Sequence, residues 1–471
     1  MFYHIVLYAA FFIFVIGLIY KISTWFRLDI GIHIKDVPPS ARFMTALRGI
    51  CSVIFSPKLF ALLKVFVLDV LLQTRILKED SHRWFMHILI FWGFMFLLAM
   101  HALDNYISEA LFSEYYSTLN PFLFLRNFFG ILVIVGICMA IYRRFVLKVP
   151  RLNTSAMDRY AIIVLAVIML SGFILEGIKI TSYTRYQEMV EEYGDMEGDE
   201  ELQALESYWV NSYGLASPHL KRPFDEDVLE QGMELNESCI SCHSKPQWAV
   251  GGYAVAWIIR PVAAGLDSAG IPNLLWLIHI LACFVGLAYL PFSKMFHILT
   301  TPLSLMANAV MDKNTSAPAN IATRQIMELD ACTRCSTCSL RCSVAVASDC
   351  IGNKNILPSE RISFLKTFIK TKALDKDRLK AIQEGIYLCT NCDRCTVVCP
   401  SGINLRDLWF SAREVFLKQK HSLPLMLTPF SYYRGLNKTE IDPAQYDRPL
   451  KIALEAVTEK YEQKRATRSF P

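Results

Sequence analysis

The chain has 471 residues with a net charge of +5, and 53% of its residues are hydrophobic. This fraction, with a mean hydropathy of +0.32, excludes an ordinary soluble protein of this length, and no basic stripe indicates a nucleic-acid partner. The fourteen cysteines form one pair, two quartets and four scattered residues, a grouping that favours cofactor binding over a disulfide framework.

Five apolar stretches are long enough to cross a membrane, since a bilayer requires a helix of roughly 20 apolar residues. They are residues 3–25, 84–103, 122–142, 160–180 and 272–292. The first lacks the basic start and the cleavage site of a signal peptide, so we expect it to be retained as a span. A sixth stretch, 57–77, is interrupted by charged residues and predicts an amphipathic helix at the membrane surface.

Basic residues in the connections predict the orientation of these spans. Those that follow the first and third spans are Lys21, Arg27, Lys35, Arg42, Arg48, Arg143, Arg144, Lys148 and Arg151. By contrast, residues 104–125 contain no Lys or Arg, and the loop 181–253 is strongly acidic. Because basic connections stay on the cytoplasmic side, we expect the N-terminus outside and the C-terminus inside the cytoplasmic membrane of a bacterium or archaeon.

Histidines stand at matching intervals on two of the spans. His87 and His101 on the second span are 14 residues apart, on one face and roughly 21 Å apart. His279 on the fifth span and His297 beyond Pro291 are 18 residues apart, also on one face and roughly 27 Å apart. In antiparallel spans, His101 should meet His279 near the outside, with the other two paired near the inside. The pattern predicts two bis-histidine haems b, and hydrogen-bonded packing is the alternative for any one histidine.

The acidic loop contains the sequence NESCISCHSKP at residues 236–246. Cys239, Cys242 and His243 form a C-x-x-C-H motif, which is typical of a covalently attached c-type haem. The two cysteines would form thioethers with the porphyrin, and the histidine would bind the iron. The predicted orientation places the motif outside, where bacteria attach haem covalently. A disulfide between the two cysteines is the alternative.

The sixth ligand of this haem c iron is open in the sequence. His219 in the stretch LASPHL is our first choice, although it could equally be an ordinary loop residue. Met233 and Met196 are the other candidates in the loop 181–253.

Two cysteine quartets follow the last span. Residues 332–342 read CTRCSTCSLRC, and residues 389–400 read CTNCDRCTVVCP. Both have the spacing C-x₂-C-x₂-C-x₃-C of bacterial two-cluster ferredoxins, in which the fourth cysteine of each run serves the other cluster. One [4Fe–4S] cluster is therefore predicted on Cys332, Cys335, Cys338 and Cys399. The other is predicted on Cys389, Cys392, Cys395 and Cys342, and structural zinc is the alternative.

The residues around the quartets predict helices. The segment 358–389 between them and the stretch 401–420 after them have helical periodicity and helix-forming residues. We therefore predict an all-α protein, in which a five-helix transmembrane cytochrome b bundle precedes a cytoplasmic α-helical ferredoxin domain. The predicted domains are 1–302, with the haem c insertion 181–253, then 303–421 for the two clusters and 422–471 as a partner-docking tail.

Several stretches of the chain resemble a known family. RWFMHILIFWGF at 83–94, GFILEGIKI at 172–180 and PFSKMFHILTTP at 291–302 are similar to the nitrate reductase gamma subunit and to the cytochrome b subunits of heterodisulfide reductases. The quartets and GINLRDLWFSAR at 402–413 resemble the ferredoxin-like subunit of heterodisulfide reductase. The resemblance implies that the four histidines above hold two haems b, and that the membrane part exchanges electrons with a quinone or phenazine.

The chain departs from that family in two respects. The acidic loop with its C-x-x-C-H motif is not part of the usual pattern and adds a redox centre outside. No paired C-C…C-x-x-C catalytic region follows the quartets, and no G-x-G-x-x-G indicates a flavin or nicotinamide. We therefore expect the substrate-converting site on another chain, a cytoplasmic iron–sulfur or flavin oxidoreductase subunit.

These centres predict a membrane electron-transfer subunit. Electrons would pass between the quinone pool or a periplasmic cytochrome c and the cytoplasmic partner, through haem c, two haems b and two [4Fe–4S] clusters. Menaquinone or another quinone would bind beside the outer haem b, where Glu176 and Lys179 could relay protons or bind the quinone head. Helix-end snorkelling or propionate pairing is the alternative for these two residues.

Two other functions remain open in the sequence. A conduit without quinone would join a periplasmic cytochrome, docked on the acidic loop 181–253, to a cytoplasmic reductase. A membrane anchor and scaffold would hold zinc in its cysteines and have no redox role. A quinone-binding assay separates the first from the leading hypothesis, and the presence of haem separates the second.

Overall fold

The computed structural model describes residues 2–30, 37–112, 115–194, 196, 198–312, 315–371 and 375–418, with 455, 457–459 and 462. The described residues contain α-, 3₁₀- and π-helices and no β-strand, which confirms the predicted all-α class for that part of the chain. Most of the predicted tail 422–471 lies outside the described residues.

The α-helices are numbered here in chain order. Those before residue 297 are α1 Phe2–Arg27, α2 Pro39–Ile54, α3 Lys58–Val65, α4 Thr74–Glu79, α5 Ser81–Leu97, α6 Ser108–Leu111, α7 Phe122–Ile141, α8 Ala156–Thr181, α9 Tyr183–Tyr193, α10 Asp199–Ser212, α11 Glu226–Leu235, α12 Val250–Ile259, α13 Ala263–Ser268 and α14 Ile271–Tyr289. The later ones are α15 His297–Val310, α16 Pro318–Ala331, α17 Thr337–Leu340, α18 Ala345–Ile351, α19 Pro358–Thr371, α20 Lys376–Tyr387, α21 Arg394–Val397 and α22 Leu405–Lys418. Three π-helical segments are Phe66–Leu71, Leu98–Ala102 and Tyr142–Val146.

Five of the described helices are long and apolar enough to cross a membrane. They are Phe2–Arg27, Ser81–Ala102, Phe122–Val146, Ala156–Thr181 and Ile271–Phe292. These helices coincide with the five predicted spans and indicate a multi-pass membrane protein. Two bent helix pairs also reach the required length and apolarity when each is taken as one element, Pro39–Ile54 with Lys58–Leu71 and Cys239–Trp248 with Val250–Ser268.

The predicted surface helix over 57–77 is interrupted in the structure. α3 continues into the π-helical segment Phe66–Leu71, and Gln73 then adopts a left-handed conformation with φ of 54°. α4 starts at the next residue, Thr74. Asp69 of the π-helical segment accepts hydrogen bonds from Thr74 Oγ1 at 2.6 Å and from Arg75 Nε at 3.1 Å. The charged residues that mark this stretch as amphipathic therefore stabilise a turn in it.

The chain divides into two compact units. The first comprises Met1–Gly17, Asp80–Lys148 and Thr154–Ser293, and the second comprises Leu18–Glu79, Val149–Asn153 and Lys294–Pro471. The first unit contains most of the long apolar helices and the C-x-x-C-H motif, and the second contains both cysteine quartets.

Glycines allow the apolar helices of the first unit to pack closely. A Cβ atom at Gly136 of α7 would lie 2.6 Å from Ile90 Cγ1 and 3.0 Å from Met86 O of α5. A Cβ atom at Gly177 of α8 would lie 2.7 Å from Val255 Cβ of α12. Small residues at such positions are typical of membrane helices, because they let two helix backbones approach each other.

The acidic insertion between α8 and α12 has a small helical core of its own. The apolar residues buried in this core are Tyr186, Val190, Leu205, Val210 and Leu215. Ser182 caps α9 by accepting a hydrogen bond from Arg185 N at 3.1 Å. Trp209 Nε1 of α10 donates to Asn236 Oδ1 at 2.9 Å, which fastens the start of the C-x-x-C-H segment to this core.

The second unit packs the helices between and after the quartets around a common core. Its buried apolar residues include Ile362 and Leu365 of α19, Ile382 and Ile386 of α20, and Leu408, Trp409 and Phe416 of α22. These helices confirm the predicted helical segments, although the segment between the quartets forms two helices rather than one. Arg324 of α16 pairs with Asp407 of α22 at 3.1 Å, which joins the helix before the first quartet to the helix after the second.

Candidate redox centres

The two quartets form loops with the same backbone geometry. Arg334 and Ser336 flank the second cysteine of the first quartet, with φ of 52° and 65°. Asn391 and Asp393 flank the second cysteine of the second quartet, with φ of 51° and 64°. Left-handed conformations are uncommon outside glycine and concentrate at functional sites. The repeated geometry indicates that both quartets build the same kind of binding loop.

A pocket in the second unit brings the second quartet together with the last cysteine of the first. Four cysteines line it and are called the pocket group below: Cys342, Cys389, Cys392 and Cys395. The pocket is partly open to solvent. Ser343 Oγ lies 3.3 Å from Cys392 Sγ, in a hydrogen bond between the two quartets. Four thiols around one space fit a [4Fe–4S] cube.

The remaining cysteines of the quartets also lie near one another. Burial raises the pKa of the Cys338 and Cys399 thiols above the ordinary value, and the charges of Cys335 and Cys332 raise both further. Cys399 of the second quartet is therefore within electrostatic range of Cys332 and Cys335 of the first quartet. The structure thus places Cys342 in one pocket with the second quartet, and the exchange of the fourth cysteines between two clusters stays a prediction.

Neither group is arranged around a single metal ion. Among the residues that the structure describes, no three His, Cys, Asp or Glu side chains form a group that could hold one ion. In a cubane cluster each cysteine binds a different iron atom, so the ligands surround a larger volume than one ion occupies.

Two fully buried side chains, Arg361 of α19 and Trp409 of α22, line the pocket beside the cysteines. Burial would raise the pKa of Cys389, but the Arg361 cation holds it below the ordinary value. Burial raises the pKa of Cys395 to about 11, although the indole N–H of Trp409 acts in the opposite direction. Both side chains therefore act on the pKa of a pocket cysteine.

His101 and His279 lie in contact within the first unit. Their ring centroids are 6.2 Å apart, with 46° between the ring planes. Ser171 Oγ lies 3.0 Å from Nδ1 of the buried His279, and a Cβ atom at Gly172 would lie 3.3 Å from His279 Cε1. Arg126 Nη2 lies 3.4 Å from His101 Nδ1. Because a guanidinium only donates hydrogen bonds, Nδ1 of His101 would be the acceptor in this contact.

His87 and His297, the other predicted pair, belong to different units. His87 lies on α5, and His297 begins α15. His297 Nδ1 donates a hydrogen bond to Lys294 O at 2.8 Å, since a carbonyl oxygen can only accept. This bond places the imidazole lone pair on Nε2, the tautomer that binds a metal. The pairing of these two histidines stays a prediction.

The C-x-x-C-H residues lie on a tight turn. Cys239 O accepts hydrogen bonds from the backbone N–H of Cys242 at 3.2 Å and of His243 at 2.9 Å. Thr118 Oγ1 donates to Cys242 O at 2.6 Å, which holds the turn against the loop before α7. His243 packs edge-on against Trp209 at 6.0 Å, and burial lowers its pKa. The neutral imidazole, which is the form that binds iron, is thereby favoured.

The candidate sixth ligands lie in different places. His219 is exposed and packs against the ring of Tyr183 at 5.6 Å. Met196 packs on the core of the insertion, and Met233 on α11 is 53% exposed. The structure therefore brings together the three residues of the motif, whereas His219 lies against a different aromatic ring from His243.

Asn127, a polar residue in the apolar part of the first unit, has no counterpart among the residues that the sequence predicts to be functional. Asn127 is buried on α7, and its Nδ2 donates to Glu176 Oε1 of α8 at 3.1 Å. Its Oδ1 accepts from the backbone N–H of Gly251 and of Gly252, each at 3.1 Å, at the start of α12. An amide inside an apolar run is the signal that could have found it. Lys179 is exposed at the end of α8.

Two family models match separate parts of the chain. Residues 63–195 match HdrE, a component of dihydromethanophenazine:CoB–CoM heterodisulfide reductase, and residues 328–403 match a 4Fe-4S dicluster domain. The HdrE protein of Methanosarcina acetivorans is 33% identical over 126 residues, which are 25% of this chain and 47% of that protein. HdrD, another component of the same reductase, is 33% identical in Methanosarcina mazei over 112 residues, which are 21% of this chain and 27% of that protein.

A more distant relative covers more of the chain. The EtfAB:quinone oxidoreductase of Syntrophomonas wolfei is 21% identical over 289 residues, which are 57% of this chain and 33% of that protein. The chain spans about half the length of the curated HdrE relatives it matches, and no solved structure matches it. The matches support the heterodisulfide reductase side of the predicted resemblance and not the nitrate reductase gamma side. The chain thus joins a membrane segment similar to HdrE to a 4Fe-4S dicluster domain, a combination that supports membrane electron transfer.

Proposed function

We propose that this chain is the membrane electron-transfer subunit of a quinone-interacting oxidoreductase. The observation that carries the proposal is the presence, on one chain, of the HdrE-like segment and the dicluster domain. Two haems b, one haem c and two [4Fe–4S] clusters would supply one-electron transfer. The substrate-converting site would lie on a cytoplasmic iron–sulfur or flavin partner, and a periplasmic cytochrome c would be the partner on the other side.

The chain's own residues would hold these groups in the positions that the sequence predicts. His101 with His279, and His87 with His297, would bind the haems b, and His243 would bind the haem c iron. The pocket group and the other four quartet cysteines would each hold one cluster. The proposed orientation keeps haem c outside and the clusters in the cytoplasm, with the N-terminus outside.

A quinone site beside His101 is supported by two observations. The names of two relatives state that one acts on dihydromethanophenazine and the other on quinone. In the first unit, Arg126 contacts His101, and the adjacent Asn127 holds the carboxylate of Glu176. Oxidation of a quinol to a quinone releases two electrons and two protons. The electrons would pass one at a time to haem b, and Glu176 would accept each proton in turn and release it to solvent, with Asn127 fixing its orientation.

Replacing Glu176 by glutamine should lower the rate of haem b reduction by a quinol about 100-fold, because the amide keeps the hydrogen bond to Asn127 but cannot take a proton. The rate is measured by stopped-flow absorbance on the purified chain. Glu188→Gln, on the exposed face of α9, is the matched control and should leave the rate unchanged. An unchanged rate in Glu176→Gln would show that this carboxylate has no part in proton transfer.

The quinone assignment itself is tested by mixing the anaerobic, oxidised full-length chain with a reduced, short-chain naphthoquinol. We expect rapid reduction of the haem b absorbance. If dithionite reduces the haems but the quinol does not, the quinone assignment is wrong, and the chain is a conduit between two protein partners.

The conduit is favoured by one specific feature, the acidic surface of the insertion. Glu191 and Glu192 of α9 and Asp199 and Glu200 of α10 are exposed. Such a surface steers a basic cytochrome electrostatically, and the association rate then falls with ionic strength. A salt-dependent rate of electron exchange with a basic cytochrome c, without any reaction with quinol, would support this second function.

Replacing Cys239 and Cys242 together by alanine should abolish the haem that stays attached after extraction with acidified acetone. The thioether bonds require these two sulfurs, whereas haem b is held only by its axial ligands and is extracted. Cys350→Ala, which removes an exposed thiol outside the motif, should retain the bound haem. Covalent haem in the double variant would contradict the assignment.

A further inference from the structure

A fully buried cation lines the pocket group. Arg361 has no exposed surface and lies on the wall of the pocket. Its Nε donates to Asn355 O at 3.2 Å, and its Nη2 donates to Ile356 O at 2.7 Å. Its Nη1 is buried and has no hydrogen-bond partner within the described part of the chain. No carboxylate of the described residues forms an ion pair with it, so its charge is not neutralised by the protein there.

The indole of Trp409 forms the adjoining wall. The guanidinium carbon of Arg361 lies 4.5 Å from the centre of the Trp409 ring. Trp409 Nε1 is also buried without a hydrogen-bond partner among the described residues. Burying a donor without an acceptor is unfavourable. Both donors are close enough to the pocket thiols to lower their pKa, Arg361 that of Cys389 and Trp409 that of Cys395. They are therefore placed to donate to the sulfur atoms of a cluster that these cysteines hold.

The other four cysteines of the quartets have a different environment. The largest charge effect on Cys332 comes from Lys366. The side chain of Lys366 is 34% exposed, and its Nζ lies 3.9 Å from Asp330 Oδ1. An exposed, paired charge is screened by water and by its partner, whereas a buried, unpaired one is not. The two groups of cysteines therefore differ in the positive charge that they experience.

We propose that Arg361, together with Trp409, raises the reduction potential of the cluster held by the pocket group and makes it the preferred electron acceptor of the two clusters. Reduction adds one electron, and thus one negative charge, to a cluster with its four thiolates. The Arg361 cation stabilises this added charge, and hydrogen bonds from Nη1 and from the indole N–H to sulfur do the same. The inference rests on the proposed function only in requiring that both clusters are present.

The test is an anaerobic redox titration of the full-length chain with dithionite, followed by EPR. The signal that disappears in a Cys342→Ala variant identifies the pocket cluster. In Arg361→Met, its reduction equilibrium should shift about tenfold towards the oxidised form, which is about 59 mV for one electron. Arg361→Lys keeps the charge and should retain most of the potential. Trp409→Phe removes the N–H together with part of the indole ring, keeps an aromatic ring beside Arg361, and should shift the equilibrium about threefold in the same direction.

The matched control is Arg406→Gln. Arg406 lines the same pocket, but it is exposed and lies 3.6 Å from Asp393 in an ion pair. Removing this screened charge should shift the equilibrium less than about twofold. The second cluster signal should keep its potential in every variant.

Several outcomes would overturn the inference. One is an unchanged potential in Arg361→Met with both signals present, and another is an equal shift of both signals. If Arg361→Met does not assemble its clusters, Trp409→Phe decides, and an unchanged potential of the pocket cluster in Trp409→Phe would reject the inference. A failed reaction with quinol leaves these potentials untouched and would count against the proposed function alone. Absence of both cluster signals from the unaltered chain would reject this inference and the proposed function together.

Discussion

Replacing Cys342 by alanine should remove one cluster and leave the other, so that the cluster iron falls from about eight to about four atoms per chain. Cys389→Ala should remove the same cluster, because both cysteines line the same pocket. The double variant Cys342→Ala/Cys389→Ala should therefore lose no more iron than either single variant. Iron and acid-labile sulfide are measured on purified, anaerobically prepared protein.

A second double variant, Cys342→Ala/Cys332→Ala, is compared with Cys342→Ala/Cys389→Ala. Cys342 and Cys332 belong to one quartet in the sequence but to different groups in the structure, so this double variant should lose both clusters. Cys350→Ala is the control for loss of a thiol outside the quartets. If Cys342→Ala/Cys332→Ala retains about four iron atoms while Cys342→Ala/Cys389→Ala retains none, each quartet holds its own cluster, and the exchange of the fourth cysteines is wrong.

Replacing His279 by alanine should remove one of the two haems b, and adding His101→Ala should remove no more. The two rings lie 6.2 Å apart between centroids, and loss of either leaves the same iron without an axial ligand. By contrast, His279→Ala combined with His87→Ala should remove both haems b. The haem content is measured from the pyridine haemochrome spectrum of the acetone-extractable fraction.

The control for this series is His4→Ala, a histidine near the start of the first span that the account does not use. It should retain both haems b. Loss of both haems from His279→Ala/His101→Ala, with one haem kept by His279→Ala/His87→Ala, would mean that His279 shares a haem with His87 and not with His101. Full haem content in His279→Ala would remove this residue from the ligand set.

The spans were predictable because the physical signal is simple. A run of roughly 20 apolar residues has no other stable location than a membrane or a large core, and five such runs are helices in the structure. The exchange of the fourth cysteines is predicted for a similar reason, since three closely spaced thiols on one loop leave one corner of a cube for a cysteine from elsewhere. The structure places Cys342 in one pocket with the second quartet, while the ligand sets of the two clusters stay a prediction.

Other features depend on packing that no local pattern expresses. Arg361 stands in the sequence PSERIS, which is typical of the polar first turn of an exposed helix. It is fully buried because Trp409, far along the chain, packs against it. The π-helical segment Leu98–Ala102, which contains His101, is likewise absent from the apolar pattern of the span. Such segments arise from local shifts of backbone hydrogen bonds and often occur at functional sites.

The most direct test of the central claim, that one chain carries haem c, two haems b and two clusters, is the cofactor content of the purified full-length protein. Acidified acetone extraction followed by pyridine haemochrome spectra should give two extractable haems b for each retained haem c, and about eight further iron atoms as clusters. No haem of either kind, with zinc in place of iron, would contradict the electron-transfer account and leave a membrane scaffold.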